Sequence, residues 1–414
     1  MRFSKLKLEG WRQFRAVDIE FHERVTIITG ANGAGKSTLI RILAQHFGWH
    51  MPLLATPTQS KDGVRRYLSG FWSKLTRSGP MSQSIGEIRY SNGSSSQLVV
   101  PPESGVQYSI QIINAQPVSG LQISSHRPQS SYQPVGNIPT DALSVEQAYQ
   151  SYFNEVVNKY NNSYTPHSPV YRMKEAIISM AMFGPGNAHV APNPLIGLAY
   201  DKFKMVLREV LPDSIGFLDI QIRIPDVVIV TKTGDFMIDA ASGGLMSLID
   251  LAWQIFLYSY DKDEFVILLD EPENHLHPSM QRRIVGDLVR AFPKAQFVIV
   301  THSPFVVSSV RDSNVYVLRH VNDESDSSSS QRTVSSLRLD KANKAGTASE
   351  ILRDVLGVPV TLPDWAEDDI RQIASDFTME QLNADGIKQL RARLEAAGLG
   401  EYYPDALHEI AGRA

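Results

Sequence analysis

Hydrophobic and polar residues alternate at the start of the chain and then give way to a short apolar run. Residues Phe3 to Leu8 and Val17 to Phe21 alternate with period two, and the run Val25 to Ile28 stops just before Gly30. From Leu39 to Phe47, apolar residues recur at helical spacing. This order predicts a hairpin, a buried strand, a glycine-containing loop and a helix.

The middle of the chain changes from a strand-like to a helical pattern and back. Residues 85–125 are punctuated by Asn92-Gly93 and by prolines, which predicts a small antiparallel β lobe. Residues 145–210 have helical spacing interrupted by Pro and Gly, which indicates packed helices rather than a long coiled coil. Strands are predicted over 217–230 and 236–238, and a helix follows Gly243.

Two further apolar runs complete the core pattern. Phe265 to Leu269 and Gln296 to Val300 predict buried strands, and the helical pattern between them is typical of a parallel sheet. The Ser- and Asp-rich residues 322–331 predict a loop, and the residues from 348 onward predict short helices.

We therefore predict an α/β fold with a mostly parallel sheet, an antiparallel β lobe, an inserted helical lobe and a C-terminal helical region. The predicted divisions are 1–140 for the first half of the core with the β lobe, 141–212 for the helical insertion, 213–320 for the second half of the core, and 321–414 for the loop and the C-terminal helices.

Composition narrows the class of protein. Of 414 residues, 43% are hydrophobic and 20% are charged, which is typical of a globular chain. The net charge of -4 argues against a protein that coats nucleic acid, although a local basic groove stays open. The absence of cysteine excludes disulfides and thiolate metal sites. The chain has no secretory h-region and no run of about 18 apolar residues, so we expect a cytoplasmic protein without a membrane span.

A glycine-rich segment, Gly30 to Ser37, fits G-x-x-x-x-G-K-[ST] between the predicted buried strand and helix. In this pattern, backbone N–H groups cradle phosphates, Lys36 reaches the β and γ oxygens, and Ser37 ligates Mg²⁺. The alternative is a Gly-rich turn with a surface lysine. The predicted nucleotide-binding residues here are Gly30, Asn32, Gly33, Gly35, Lys36, Ser37 and Thr38.

Polar residues follow the two later strands. Asp270 and Glu271 end the first, where Asp270 is placed to hold Mg²⁺ through water and Glu271 to polarise an attacking water. His302 follows the second strand, and because neighbouring parallel strands end on the same side, we expect it beside these acids and near a γ-phosphate. The alternatives are a solvated acidic strand end and a structural histidine.

A second anion site is predicted at Ser242-Gly243-Gly244, which precedes a helix. One ATP does not need two such helix starts from one chain. The economical solution is a dimer in which each Ser-Gly-Gly caps the γ-phosphate held by the other subunit. The alternative is an ordinary N-cap with turn glycines.

In this order the motifs resemble those of the ABC ATPase superfamily, in its SMC, RecF and OLD-like branch. The resemblance covers about residues 1–50 and 215–320. It implies an ABC-ATPase core that binds ATP and Mg²⁺, with catalytic roles for Lys36, Glu271 and His302, and a homodimer or higher homo-oligomer. The segment Asp270 to Pro278 is similar to that of OLD-like ATPases, which occur in bacterial anti-phage systems such as Septu and Gabija.

The resemblance also implies nucleotide contacts for two arginines, Arg127 and Arg12. Arg127 ends Ser124-Ser125-His126-Arg127, which looks like the Ser-x-x-Arg segment that replaces the glutamine loop in these relatives; the alternative is a basic loop that pairs with surface acids. Arg12 matches a position near the first hairpin where similar ATPases contact nucleotide.

The chain also departs from the family pattern. Leu245 and Met246 stand where Gln or Glu usually follows the signature glycines, and His277 replaces the Asp typical of transporter D-loops, so we expect slow turnover. The resemblance implies an ATPase that controls a separate effector, a nuclease such as an HNH enzyme, in anti-phage defence. The alternatives are a RecF-like repair ATPase that contacts DNA directly and, disfavoured by these departures, the nucleotide-binding subunit of a transporter.

Overall fold

The computed structural model describes residues 1–49, 51–59, 65–68, 83–101, 106–125, 131–138, 142–322, 332–340, 346–356, 363–378 and 381–411. The chain forms two compact units, Met1–Ile351 and Leu352–Ala414.

All of the described strands belong to the first unit. In chain order they are β1 (Phe3–Trp11), β2 (Phe14–Glu20), β3 (Val25–Gly30), β4 (Leu53–Leu54), β5 (Thr56–Gln59), β6 (Arg65–Leu68), β7 (Gln83–Tyr90), β8 (Ser95–Val100), β9 (Gln107–Tyr108), β10 (Gln111–Ile113), β11 (Gly120–Ile123), β12 (Phe217–Arg223), β13 (Asp226–Thr231), β14 (Phe236–Met237), β15 (Phe265–Asp270), β16 (Ala295–Val300), β17 (Asn314–Asn322) and β18 (Arg332–Arg338).

The described helices occur in both units. In chain order they are α1 (Lys36–Ala44), α2 (Val145–Tyr160), α3 (Pro169–Phe183), α4 (Pro194–Val210), α5 (Gly243–Ser259), α6 (Pro278–Gln281), α7 (Ile284–Ala291), α8 (Pro304–Val307), α9 (Ala348–Glu350), α10 (Asp364–Ser375), α11 (Ala384–Ala396) and α12 (Tyr403–Ala411). Short 3₁₀ turns cover Gln45–Phe47, Ile238–Ala240 and Gly400–Tyr402, and a π turn covers Ile351–Val355. Within these ranges, no helix has both the length and the apolarity that a bilayer span requires.

The first unit is organised around one mixed sheet of eleven strands. Their spatial order is β10-β8-β7-β1-β2-β18-β17-β3-β16-β15-β11. The five strands from β17 to β11 run parallel, as do β2 and β18, and the other neighbours are antiparallel. The predicted α/β class is confirmed. The predicted antiparallel β lobe is continuous with this sheet, because β7 pairs with β1, while β11 crosses to the opposite edge.

The parallel half of the sheet is buried on both faces. Every residue of β3 and β16 is buried, which is typical of parallel strands covered by helices. Helix α1 lies on one face and buries Leu39, Ile40 and Leu43 in the main apolar cluster. The nucleotide motifs therefore follow strands that are almost completely buried.

One hairpin of the sheet was absent from the sequence prediction. Strand β18 pairs with β17 and, in parallel, with β2, so it fills the gap between the two halves of the sheet. Val334 on β18 is fully buried. Residues 332–338 belong to this central sheet although they lie beyond the predicted boundary at 320. The predicted loop at 322–331 falls almost entirely outside the described residues.

The helical insertion consists of α2, α3 and α4, as the interrupted pattern predicted. Side-chain caps start each helix, with Ser144, Ser168 and Asn193 accepting from backbone N–H groups. A three-stranded antiparallel sheet of β12, β13 and β14 follows and leads to α5.

A buried lysine joins this insertion to the segment before α5. Lys174 on α3 is fully buried, and its Nζ donates to Asp239 at 2.7 Å and to the carbonyl of Gln133 at 2.6 Å. Asp226 lies 3.4 Å from the same ammonium group. Asp239 precedes Ser242 by three residues, so the ion pair fixes the approach to α5.

The second unit has a small core of its own. Helices α10, α11 and α12 enclose buried apolar side chains from each helix, namely Ala366, Ile370, Ile373, Ala374, Leu390, Leu394, Leu399, Ala406 and Ile410. This unit confirms the predicted short helices at the end of the chain.

Candidate active site

Three parallel strands end at one edge of the sheet, β15 and β16 at the same level and β3 two residues further on, and they bring the candidate residues together. The register pairs Ile28 on β3 with Val300 on β16, and Val300 with Asp270 on β15. The chain segments that leave these three strands therefore emerge side by side at one edge of the sheet.

The phosphate loop connects β3 to α1. Gly33 and Gly35 have φ values of 77° and 95°, a region that favours glycine. Gly35 is the N-cap of α1 and provides no side-chain cap, so the first N–H groups of the helix face outward as an anion site. Asn32 is exposed and Thr38 is half-buried.

The ammonium group of Lys36 lies inside this loop. Its Nζ donates to the carbonyl oxygens of Gly30 at 2.8 Å and Ala31 at 2.9 Å. Burial lowers the pKa of Lys36 to about 8, against the opposing attraction of Glu271 and Asp270. A bound phosphate group would add further negative charge beside this buried cation.

An oxygen pair suited to Mg²⁺ lies beside the loop. The Ser37 hydroxyl lies near the carboxylate of Asp270, the last residue of β15, and interacts with it. Burial and the neighbouring Glu271 raise the pKa of Asp270 above its usual range, although Ser37, Arg41 and Lys36 act in the other direction. A hydroxyl and a carboxylate are hard oxygen ligands, and the usual Mg²⁺ site in such enzymes combines few protein ligands with substrate phosphates. The donor set therefore fits this ion.

Glu271 and His302 face each other across the strand ends. His302 Nε2 lies 3.3 Å from Glu271 Oε1, which confirms the expected juxtaposition. Burial, together with the charge of Lys36, lowers the pKa of His302 and so favours the neutral imidazole, although Glu271 acts in the other direction.

The backbone at Glu271 is strained. Its φ of 48° is unusual for a residue with a side chain, and its N–H donates to the carbonyl of Val300 at 2.8 Å. Asn274 Nδ2 donates to Glu271 Oε2 at 3.3 Å and to the carbonyl of Ser125 at 3.4 Å. The turn thus aims the Glu271 carboxylate towards His302.

The Ser242 helix start packs against the turn that follows β15. Ser242 is exposed and caps α5, its Oγ accepting from the N–H of Leu245 at 3.4 Å. A Cβ on Gly244 would lie 2.9 Å from the carbonyl oxygen of His275, whereas a Cβ on Gly30 would lie 2.4 Å from that of Leu318. Among the described residues, nothing lies within 4 Å of where a Cβ on Gly243 would be.

Of the two predicted arginines, Arg12 lies within the described residues. Arg12 Nε donates to Tyr108 OH at 2.8 Å, the guanidinium also bonds the carbonyl of Leu54, and it lies 5.3 Å from the ring centres of Trp11 and Tyr108. Its contact with nucleotide stays a prediction. Arg127, with His126, lies outside the described residues.

Sequence reasoning missed three residues that hold the site. Glu273 and Asn274 contact the catalytic loops, and Thr29 Oγ1 donates to the carbonyl of Thr301 at 2.9 Å. For Glu273 a signal was available, because it is a third acid, two residues after Glu271. It lies in the segment that resembles OLD-like ATPases, but the resemblance gave it no role.

Comparisons with known proteins agree with these motifs. Residues 5–96 match a family model described as "AAA domain", and residues 231–308 match one described as "AAA domain, putative AbiEii toxin, Type IV TA system". Together these regions contain every motif residue named above except Arg127.

Individual relatives were also found. The chain is 22% identical over 376 residues to "Septu protein PtuA" of Bacillus thuringiensis, covering 86% of this chain and 85% of that protein. A segment of 55 residues is 38% identical to "Retron Ec83 probable ATPase" of Escherichia coli, covering 13% of this chain and 10% of that protein. Among solved structures, the SMC head domain from Thermotoga maritima has a TM-score of 0.44 and 16% identity, covering 82% of this chain and all of that one.

Two glycines of the phosphate loop give a matched test of its packing. A Cβ on Gly35 would lie 2.3 Å from Phe14 Cζ, whereas none of the described residues approaches within 4 Å of the Cβ position of Gly33. Phe14 is buried and stacked on Trp11, so it cannot easily withdraw. We expect Gly33→Ala to lower the free energy of unfolding by about 1 kcal/mol, from backbone strain. Gly35→Ala should cost about 1–3 kcal/mol more, from overpacking.

Urea unfolding of both variants measures the difference. Equal losses for the two variants would contradict the proposed contact between Gly35 and Phe14.

Proposed function

We propose that this chain, a P-loop ATPase of the AAA and SMC type that converts ATP and water to ADP and phosphate, acts as an ATP-clamped homodimer. The dimer would control a separate effector protein in anti-phage defence. The single observation that carries the clamp is the exposed helix start at Ser242 and Gly243, where no described residue lies within 4 Å of the Cβ position of Gly243.

The residues at the strand ends have separate roles in ATP hydrolysis. Lys36 and the start of α1 bind the phosphates, and Ser37 with Asp270 would hold Mg²⁺, which supplies positive charge when bound. Glu271 accepts a proton from the attacking water. The neutral imidazole of His302 is able to donate a hydrogen bond to the γ-phosphate while remaining close to Glu271.

The clamp follows from the position of the second helix start. Ser242 and the N–H groups of Gly243 and Gly244 form an anion site at the beginning of a 17-residue helix. In a twofold dimer, each such site meets the γ-phosphate bound to the other chain, so both active sites are shared. ATP binding would then close the dimer and hydrolysis would open it, and this change of shape is what an effector would respond to.

The defence role is supported by similarity to "Septu protein PtuA" along most of both chains. Because the site chemistry is limited to ATP hydrolysis, a separate chain would carry the effector activity, for which we propose a nuclease such as an HNH enzyme. We place the complex in the cytoplasm, where phage DNA is exposed. Direct contact of the ATPase with DNA belongs to the RecF-like alternative.

Two variants separate ATP binding from hydrolysis. Lys36→Ala should weaken ATP binding by about 10- to 100-fold, because charge-assisted hydrogen bonds are lost. Glu271→Gln should keep binding but lower turnover by about 100-fold or more and accumulate dimers with ATP. Calorimetry, phosphate release and light scattering measure these quantities, with the exposed Lys388→Ala as the control. Glu271→Gln turnover at the wild-type rate would remove Glu271 from the role of base.

Mixing two inactive variants tests whether sites are shared between chains. Lys36→Ala and Ser242→Arg each inactivate every site in their own homodimers. In a mixed dimer, one site combines the intact Lys36 of one chain with the intact Ser242 of the other. Random exchange should therefore restore about a quarter of the wild-type ATPase rate per chain. If the mixture stays inactive although mixed dimers form, Ser242 acts within its own chain or not at all.

Phage infection assays test the effector role. We expect plaque formation to fall when the ATPase and its neighbouring gene are expressed together, and to recover when either is omitted or when Lys36→Ala is used. Full protection by the ATPase alone, with ATPase activity strongly stimulated by double-stranded DNA, would instead favour the RecF-like alternative.

A further inference from the structure

We propose that Glu273 is a positioning residue for ATP hydrolysis, which fixes the loop carrying His302 so that the imidazole faces Glu271. Glu273 lies in the turn after β15, and the loop Thr301 to Ser303 follows β16. The inference rests on the role given to His302 under the proposed function.

Three donors converge on one oxygen of the Glu273 carboxylate. Glu273 Oε1 accepts hydrogen bonds from the Thr301 hydroxyl, from the N–H of His302 at 3.1 Å and from the N–H of Ser303 at 3.2 Å. One side chain therefore fixes three successive residues of the loop.

These contacts are buried, while the histidine they orient is not. Glu273 and Ser303 are each 7% exposed and Thr301 is fully buried, whereas the His302 side chain is 37% exposed. Because the backbone on both sides of His302 is fixed, the imidazole has few directions available. The direction that it takes places Nε2 at 3.3 Å from Glu271 Oε1.

The same loop is tied to the phosphate loop. Thr29 Oγ1 donates to the carbonyl of Thr301 at 2.9 Å, and Thr29 directly precedes Gly30. On the other side, Ser303 Oγ donates to Gln281 Oε1 at 2.7 Å. Glu273 thus completes a frame that relates the phosphate loop, the Glu271 turn and the His302 loop to one another.

A purely structural role is the competing explanation, in which Glu273 stabilises the turn and leaves the chemistry unaffected. The two explanations differ in how Glu273 and His302 combine. If Glu273 acts through His302, removing it matters only while the imidazole is present. If it acts on the fold, its loss adds to the loss of His302.

The experiment is a double-mutant cycle of kcat and KM for ATP on the full-length protein. We expect Glu273→Ala to lower kcat by about 10- to 100-fold, because catalytic groups displaced by about 1 Å lose this much. KM should change little, since Lys36 and α1 are untouched. The pair Glu273→Ala with His302→Ala should be no slower than His302→Ala alone.

Two further variants test the positioning role of Glu273 if Glu273→Ala does not fold. Glu273→Gln retains an acceptor oxygen for the three donors, and it should restore most of kcat. Thr301→Val removes one donor without changing Glu273 and should lower kcat by about threefold, an effect that disappears in the His302→Ala background. Thermal unfolding checks that each variant is folded.

The outcomes distinguish this inference from the proposed function. Wild-type kcat for Glu273→Ala, or losses that multiply in the double variant, would overturn the positioning role while leaving His302 in place. Wild-type kcat for His302→Ala would overturn the role of His302 and, with it, this inference.

Discussion

The structure depends on the register of three neighbouring parallel strands, β3, β16 and β15. Their register places Ile28, Val300 and Asp270 in one row. The residues that follow are polar or charged, yet they stand at the edge of an apolar sheet whose strands are almost completely buried. Burying charge is costly unless opposite charges or donors are near. Lys36 lies near the acids, and hydroxyl and backbone donors reach Oε1 of Glu273, but burial still raises the pKa of Glu273.

The motif residues could be predicted because their chemistry is local in sequence. A glycine loop between a strand and a helix predicts its own geometry, and Asp270, Glu271 and His302 follow strands whose parallel order is predictable. The contact between His302 and Glu271 followed from this order alone. The roles of Glu273 and Asn274 could not be predicted, because they depend on contacts with loops about 30 and 150 residues away.

The same distinction explains the differences in the fold. Residues 332–338 alternate weakly and contain only two large apolar side chains, so their place between β17 and β2 is decided by pairing partners on each side. The contacts of Arg12 with Tyr108 and with the carbonyl of Leu54 are likewise absent from its local pattern, and its contact with nucleotide stays a prediction. In both cases tertiary contacts determine where the residues lie.

A buried ion pair links the helical insertion to the segment that leads into Ser242-Gly243-Gly244. Lys174 on α3 and Asp239 before Ser242 form a buried ion pair, and breaking such a pair from one side costs about 3 kcal/mol or more. A rotation of the insertion would therefore carry the start of α5 with it instead of separating the two. The helices of the insertion also pack directly on α5, for example with Phe203 against Trp253 at 4.7 Å between ring centres. Because that helix start is the part proposed to meet the second chain, the ion pair and these packing contacts would together couple the clamp to the orientation of the insertion.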